Sequence, residues 1–280
     1  MRELPKPNIN FSGHYGDCVS AKRNPGRSIL QTQASAVITA SVAYESKASV
    51  AQLYTLTPIF DRALHPSIFH NLKTLYDGQM TRKRGPGRII YDQLRLAANG
   101  RCPLCSHGDP KTIDHYLTKK DFPEFSILPI NLVPSCSDCN KKKFTHVAVG
   151  ALDQYLHPYY DKIESYRWLE ASLTYAVNNS PTIKFFIHKD LRMSNDIFSR
   201  MKFQFRQLGL NSLYSKQASN EISGMRPCLE NLHAAGGKDE VRALLVSMAS
   251  SKTQHDKNSW QAATYRCVSV DEQFCDIRWT

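Results

Sequence analysis

Two Cys-x-x-Cys pairs, Cys102/Cys105 and Cys136/Cys139, bracket the stretch RCPLCSHGDPKTIDHYLTKKDFPEFSILPINLVPSCSDCNKKK, Arg101 to Lys143. Each pair is a tight turn that presents two thiolates to one tetrahedral ion, and four sulfurs suit zinc, although a rubredoxin-like iron site uses the same ligands. A closed four-thiolate shell leaves no open coordination position, so such an ion staples the fold and does not activate water. The spacing argues against disulfides. Between the pairs stands Asp114-His115. An adjacent carboxylate and imidazole near the end of a strand can divide the labour of phosphodiester hydrolysis, with Asp114 holding a divalent cation and His115 deprotonating water at a pKa near neutrality. Alone, the dipeptide says little; between two zinc knuckles it carries weight.

The stretch resembles the HNH endonuclease motif, in which an Asp-His pair is followed by Asn in an N-L-x-x-x-C context and then by C-x-x-C-[HN]-x-x-K. This chain has Asn131-Leu132-Val133-Pro134-Ser135-Cys136 and Cys139-Asn140-Lys141-Lys142-Lys143. The resemblance implies two strands and a helix around a metal, with His115 as general base, Asp114 and Asn140 as ligands of the catalytic ion, and Asn131 orienting the His through a loop hydrogen bond. It implies products with a 5′-phosphate and a 3′-hydroxyl. Asn140 stands where other members carry His, and an amide oxygen favours Mg2+ or Mn2+. Thr118 stands where many similar sequences have Pro, a change that removes no reacting group. Glu124 is a candidate support for the metal, or a loop anchor. Further on, His157-Pro158-Tyr159-Tyr160-Asp161 and Arg167-Trp168-Leu169 are similar to the C-terminal halves of HNH proteins of bacterial antiviral defence systems. That likeness implies an ATPase or sensor subunit as partner.

The elements that must hold these residues follow from pattern. The expected fold is α+β: a mostly helical chain that, by the resemblance, encloses a central ββα-metal module with a structural zinc. Its divisions are an arm over 1–25, a mainly helical region over 26–98, the nuclease module over 99–150 and a mainly helical region over 151–280. Ala34 to Leu56 mixes strand and helix signals and is read as helix. Ile68, Phe69, Leu72, Leu75 and Tyr76 fall at helical spacing, with Asp77-Gly78 as a stop, and Ile89 to Ala98 reads as the next helix. Ser194 to Leu208, Lys238 to Ser250 and Ser259 to Val268 read as helices; Thr182 to His188 alternates as a strand.

A formal charge of +11 on 280 residues favours a polyanionic partner. The loop Thr81-Arg-Lys-Arg-Gly-Pro-Gly-Arg88, with Arg82 and Arg84, and the lysines Lys119, Lys120, Lys141, Lys142 and Lys143 are candidate phosphate contacts, against the alternative that each is a solvated charge. Early charges and prolines argue against a signal peptide, and the apolar stretch Ala34 to Tyr44 is too short to span a bilayer, so a cytoplasmic protein with no membrane partner is expected. Cys18, Cys228, Cys267 and Cys275 are read as free thiols. The expected function is a metal-dependent endonuclease acting on DNA before RNA. The alternatives are a zinc-ribbon module that binds nucleic acid or acts as an adaptor without cutting, and an HNH-type RNase.

Overall fold

The computed structural model describes residues 1–279, which are helical for the most part and carry two small antiparallel sheets, an α+β chain. They form two compact units, Met1–Ile163 and a second from Glu164 onwards. No helix among the described residues is long and apolar enough to cross a membrane.

The first unit opens with α1 (Phe11–Ser20), α2 (Gly26–Thr32), α3 (Ala34–Ser49), α4 (Pro66–Leu75) and α5 (Arg88–Ala97). In α3, Val37, Ala40, Ser41, Tyr44 and Ala48 are the buried positions, so one face meets the core and the helical reading of Ala34 to Leu56 holds as far as Ser49, with only a short 3-10 turn at Leu53–Thr55 beyond it. In α4 the buried face is Phe69, Leu72 and Leu75. The expected stop at Asp77-Gly78 is corrected: Tyr76–Met80 continues as a π-helical turn. Burial of Tyr76 and Met80 rewards the wider turn, and the turn's Gln79 carbonyl accepts the Gly87 amide at 3.1 Å. Residues 1–25 are likewise not a free arm. Met1 and Leu4 are each 3% exposed, and the amides of Arg2 and Leu4 donate to the carbonyls of Pro103 and Pro158. The polar composition that suggests an arm leaves its backbone free to pair, and Asn10 caps α1 through its side chain.

Strands β1 (Thr112–His115) and β2 (Leu132–Ser135) pair antiparallel, Thr112 opposite Ser135 and His115 opposite Leu132, and α6 (Ser137–Lys143) follows directly. A buried brace supports this unit. Tyr159 Oη donates to the Leu132 carbonyl at 2.7 Å, the His157 ring stacks on Tyr116 at 4.3 Å, and Tyr44 Oη reaches His157 Nε2 at 3.1 Å. The His-Pro-Tyr-Tyr segment therefore belongs to the first unit as packing.

The second unit is a hairpin of β3 (Leu169–Tyr175) and β4 (Pro181–Ile187) packed against helices α7 (Asn195–Gln207), α8 (Leu210–Gly236), α9 (Lys238–His255), α10 (Trp260–Val268) and α11 (Glu272–Cys275). Alternation buries Ile183 and Phe185. Ser194 and Ser259 cap α7 and α10 through their hydroxyls, and Gly209 at φ 63° supplies the left-handed residue between α7 and α8.

Candidate functional site

The four cysteines are buried and their sulfurs lie within 4.8 Å of one another, with Cys105 Sγ 3.9 Å from Cys136 Sγ. Zinc–sulfur bonds of about 2.3 Å imply tetrahedral edges of about 3.8 Å, so the cluster has the size a zinc ion needs. The first knuckle folds by donation of the Ser106 amide to the Cys102 carbonyl at 2.7 Å, with Ser106 left-handed at φ 53°. Amides of Gly108 and Cys139 point at the sulfurs of Cys105 and Cys136 at 3.3 and 3.5 Å, an arrangement that favours thiolate. A Cβ on Gly108 would stand 2.8 Å from Cys136 Sγ, so the two knuckles can close only over a glycine. Hydrogen bonding led by Cys102 lowers Cys105 and Cys136, the latter to about 7, and the same network raises Cys102 and Cys139. Four sulfurs this close ionise together only around a cation, and a divalent ion meets that need. The four cysteines can therefore hold zinc.

The cluster joins the two chain segments that carry the reactive candidates. Cys102 and Cys105 precede β1; Cys136 and Cys139 start α6. His115, the last residue of β1, is 8% exposed, and its Nε2 lies 2.8 Å from the Ser126 carbonyl. A carbonyl only accepts, so Nε2 carries the proton and the lone pair sits on Nδ1. Burial pushes the His115 pKa down to about 3, and the bond to Ser126 opposes that only in part. The Tyr76 ring packs edge-on against the imidazole at 4.5 Å, and its hydroxyl donates to the Ile113 carbonyl.

Asn131 is completely buried and makes three bonds to the loop between the strands: its Oδ1 accepts the Leu117 amide at 2.7 Å, and its Nδ2 donates to the carbonyls of Leu117 and Phe125 at 3.0 and 3.1 Å. The loop so closed carries Ser126, whose hydroxyl is anchored on the Leu72 carbonyl. Asn131 thus acts on His115 through Phe125 and Ser126. Thr118 stiffens the start of the loop without proline, exchanging hydrogen bonds with Asp121 through its hydroxyl. Glu124 is buried and accepts the Ile59 amide at 3.0 Å, which makes it a loop anchor.

Asp114 faces α6. Its Oδ2 lies 3.0 Å from Lys143 Nζ, and that ammonium also donates to the His115 carbonyl at 2.8 Å. Burial raises the Asp114 pKa, and the Lys143 charge opposes the rise. Asn140 is half-exposed one helical turn before Lys143, on the same face of α6. The structure thus sets the Asp114 carboxylate and the His115 backbone carbonyl on Lys143, turns the His115 ring to Ser126 and Tyr76, and places Asn140 on the Lys143 face of α6.

The lysine run needs a correction. Lys143 is 3% exposed and does not stand with the exposed Lys141 and Lys142, because consecutive helix residues face different directions. It is a buried partner of Asp114, not a phosphate contact. Lys119 is engaged too, with its Nζ 2.8 Å from Asp77 Oδ1 and 4.8 Å from the Tyr76 ring centre. Lys120, Arg82 and Arg84 are exposed. The basic loop is held, not loose: a Cβ on Gly85 would fall 2.2 Å from the Gln79 carbonyl oxygen, so only glycine lets the loop lie on the π-helical turn. Ser126, Tyr76 and Asp77 escape sequence reading, since each acts through a contact distant along the chain.

No family model and no solved structure matches the chain. It is similar to Protein ea31 of Escherichia phage lambda, at 27% identity over 299 residues covering 98% of this chain and 99% of that protein.

Proposed function

We propose that this chain is a metal-dependent endonuclease of the HNH type that hydrolyses nucleic-acid phosphodiester bonds, DNA before RNA. The observation that carries the reading is the arrangement of β1, β2 and α6. Four clustered sulfurs fix their ends, Asp114 and His115 close β1, and the imidazole is oriented with its lone pair on Nδ1.

In this reading zinc fills the four-sulfur cluster, and Asp114 with Asn140 holds Mg2+ or Mn2+. When bound, that second ion acidifies water and neutralises charge that develops on the phosphate oxygens. The residues of the chain do the rest. His115, kept neutral by burial, accepts the proton of the attacking water at Nδ1. Ser126 holds the ring, Asn131 holds the loop that carries Ser126, and Tyr76 walls one side. Clustered cysteines without disulfides fit a reducing, cytoplasmic setting. A place in antiviral defence beside an ATPase or sensor subunit rests on the sequence resemblance alone.

One observation favours a second reading, a zinc-stapled nucleic-acid-binding or adaptor module. Lys143 already balances the Asp114 carboxylate, so the charge of the site closes without a divalent ion. Incubation of the purified chain with supercoiled plasmid, and separately with RNA, in Mg2+ or Mn2+ distinguishes the two. Nicking that a chelator stops supports the nuclease; retention of nucleic acid without cleavage under either ion supports the binder.

A further inference from the structure

A second feature of the first unit lies next to this site. Between the α1–α2 turn and the end of α4 with its π-helical turn runs an open, polar cleft of about 750 Å³. Its walls carry Lys22, Arg23 and Arg82, with the amides of Asn24, Asn71 and Gln79 between them. Arg23 and Arg82 are exposed, while Lys22 is half-buried, its Nζ tethered to Thr74 Oγ1 at 3.1 Å. The one carboxylate of the lining is Asp77, and Lys119 neutralises it at 2.8 Å. The walls are fixed. Gly26 lets α2 approach Asn71, whose Oδ1 would be 2.4 Å from an added Cβ, and Gly85 seats the loop that bears Arg82.

Asp77 connects the cleft to the reactive candidates: it takes Lys119, Lys119 lies over the Tyr76 ring, and Tyr76 packs on His115. We infer that this cleft binds the sugar–phosphate backbone of one nucleic-acid strand and leads that strand to His115. Cations pair with the phosphates, while the side-chain amides give hydrogen bonds that do not depend on base identity. The ligand is a free strand or one backbone of a duplex, since the cleft offers contacts to phosphate and sugar only. The inference rests on the nuclease reading for its direction and on the cleft's own chemistry for its ligand.

The test is fluorescence anisotropy with labelled single-stranded and duplex DNA of equal length. The full-length His115→Ala chain, which leaves the probe intact, is compared with the same chain carrying Arg23→Glu and Arg82→Glu, and with a control of equal charge change in the second unit, Arg206→Glu and Lys216→Glu. The cleft pair should raise Kd about tenfold or more at about 0.15 M salt and lower the salt slope by about 1.4 for a single strand, two contacts at about 0.7 each. The control should stay within about twofold. The arm with the larger loss identifies a free strand or a duplex backbone as the ligand. Equal losses in the cleft and control variants, no loss in either, or no binding of either probe by the parent chain overturns the proposal. Plasmid cleavage by the wild type separates the two readings. Cleavage with an unaffected cleft variant removes only the cleft; a selective cleft loss without cleavage removes only the nuclease.

Discussion

Lys143 Nζ stands 3.0 Å from Asp114 Oδ2, with both side chains nearly closed to solvent. Breaking a buried ion pair from one side leaves an uncompensated charge, which costs about 3 kcal/mol or more. Lys143→Met should therefore lower stability by about that amount in denaturant unfolding at neutral pH. The folded Asp114 pKa is already raised by burial, and loss of the ammonium raises it further. A carboxyl raised in the folded state favours folding at low pH and loses that contribution as pH rises through its folded pKa. The variant's deficit should accordingly shrink on acidification. An unchanged midpoint would mean that the pair is not formed in solution.

Asn131→Ala strips partners from the Leu117 amide and from the carbonyls of Leu117 and Phe125 in a buried loop. At about 1 kcal/mol or more for each group left unmatched, the total is about 3 kcal/mol. Hydrogen exchange should show selective loss of protection between Leu117 and Ser126, with the hairpin β3–β4 unaffected. Uniform exchange across the chain would contradict the clamp.

Zinc in the four-cysteine cluster makes a separate prediction. Metal analysis should find one zinc per chain, and Cys102→Ser should lose it and melt at lower temperature, because binding energy at such a site is folding energy. Gly108→Ala should do the same although it removes no ligand, since its Cβ meets Cys136. Full zinc occupancy with unchanged melting in Gly108→Ala would refute the close approach of the knuckles.

His14 gives a further pH test. Burial lowers its pKa from 6.5, partly opposed by a bond to the Ile127 backbone. Between its lowered folded pKa and about 6.5 the unfolded chain binds the proton that the folded chain refuses, so stability falls as pH drops through that window. His14→Gln should flatten part of that decline in unfolding free energy measured from pH 7 to 5. An identical slope would show that His14 titrates alike in both states.

The four-cysteine cluster is legible because two short spacings carry its ligands. The amphipathic helices were legible through buried faces such as Phe69, Leu72 and Leu75. What escaped depends on contacts between distant segments. Lys143 read as one of three surface lysines until α6 turned it onto Asp114, and Ser126 had no mark of its own before the loop brought its carbonyl to His115. The long helix α8 was hidden by Gly224, Pro227 and several Ser and Asn residues, although Leu210, Tyr214, Ala218 and Ile222 recur every fourth position along its buried face. Residues 1–25 failed in the other direction, their polar composition concealing backbone bonds to Pro103 and Pro158.

The most direct measurement is the single-turnover rate of plasmid cleavage in Mg2+ or Mn2+ by the wild type and His115→Ala, each with its zinc content and melting curve recorded. Loss of a positioned general base should slow cleavage by about a hundredfold or more while zinc and melting stay close to wild type. Equal rates for the two proteins, or intact plasmid with the zinc-loaded wild type under both ions, would contradict the assignment of His115 as the base of a nuclease.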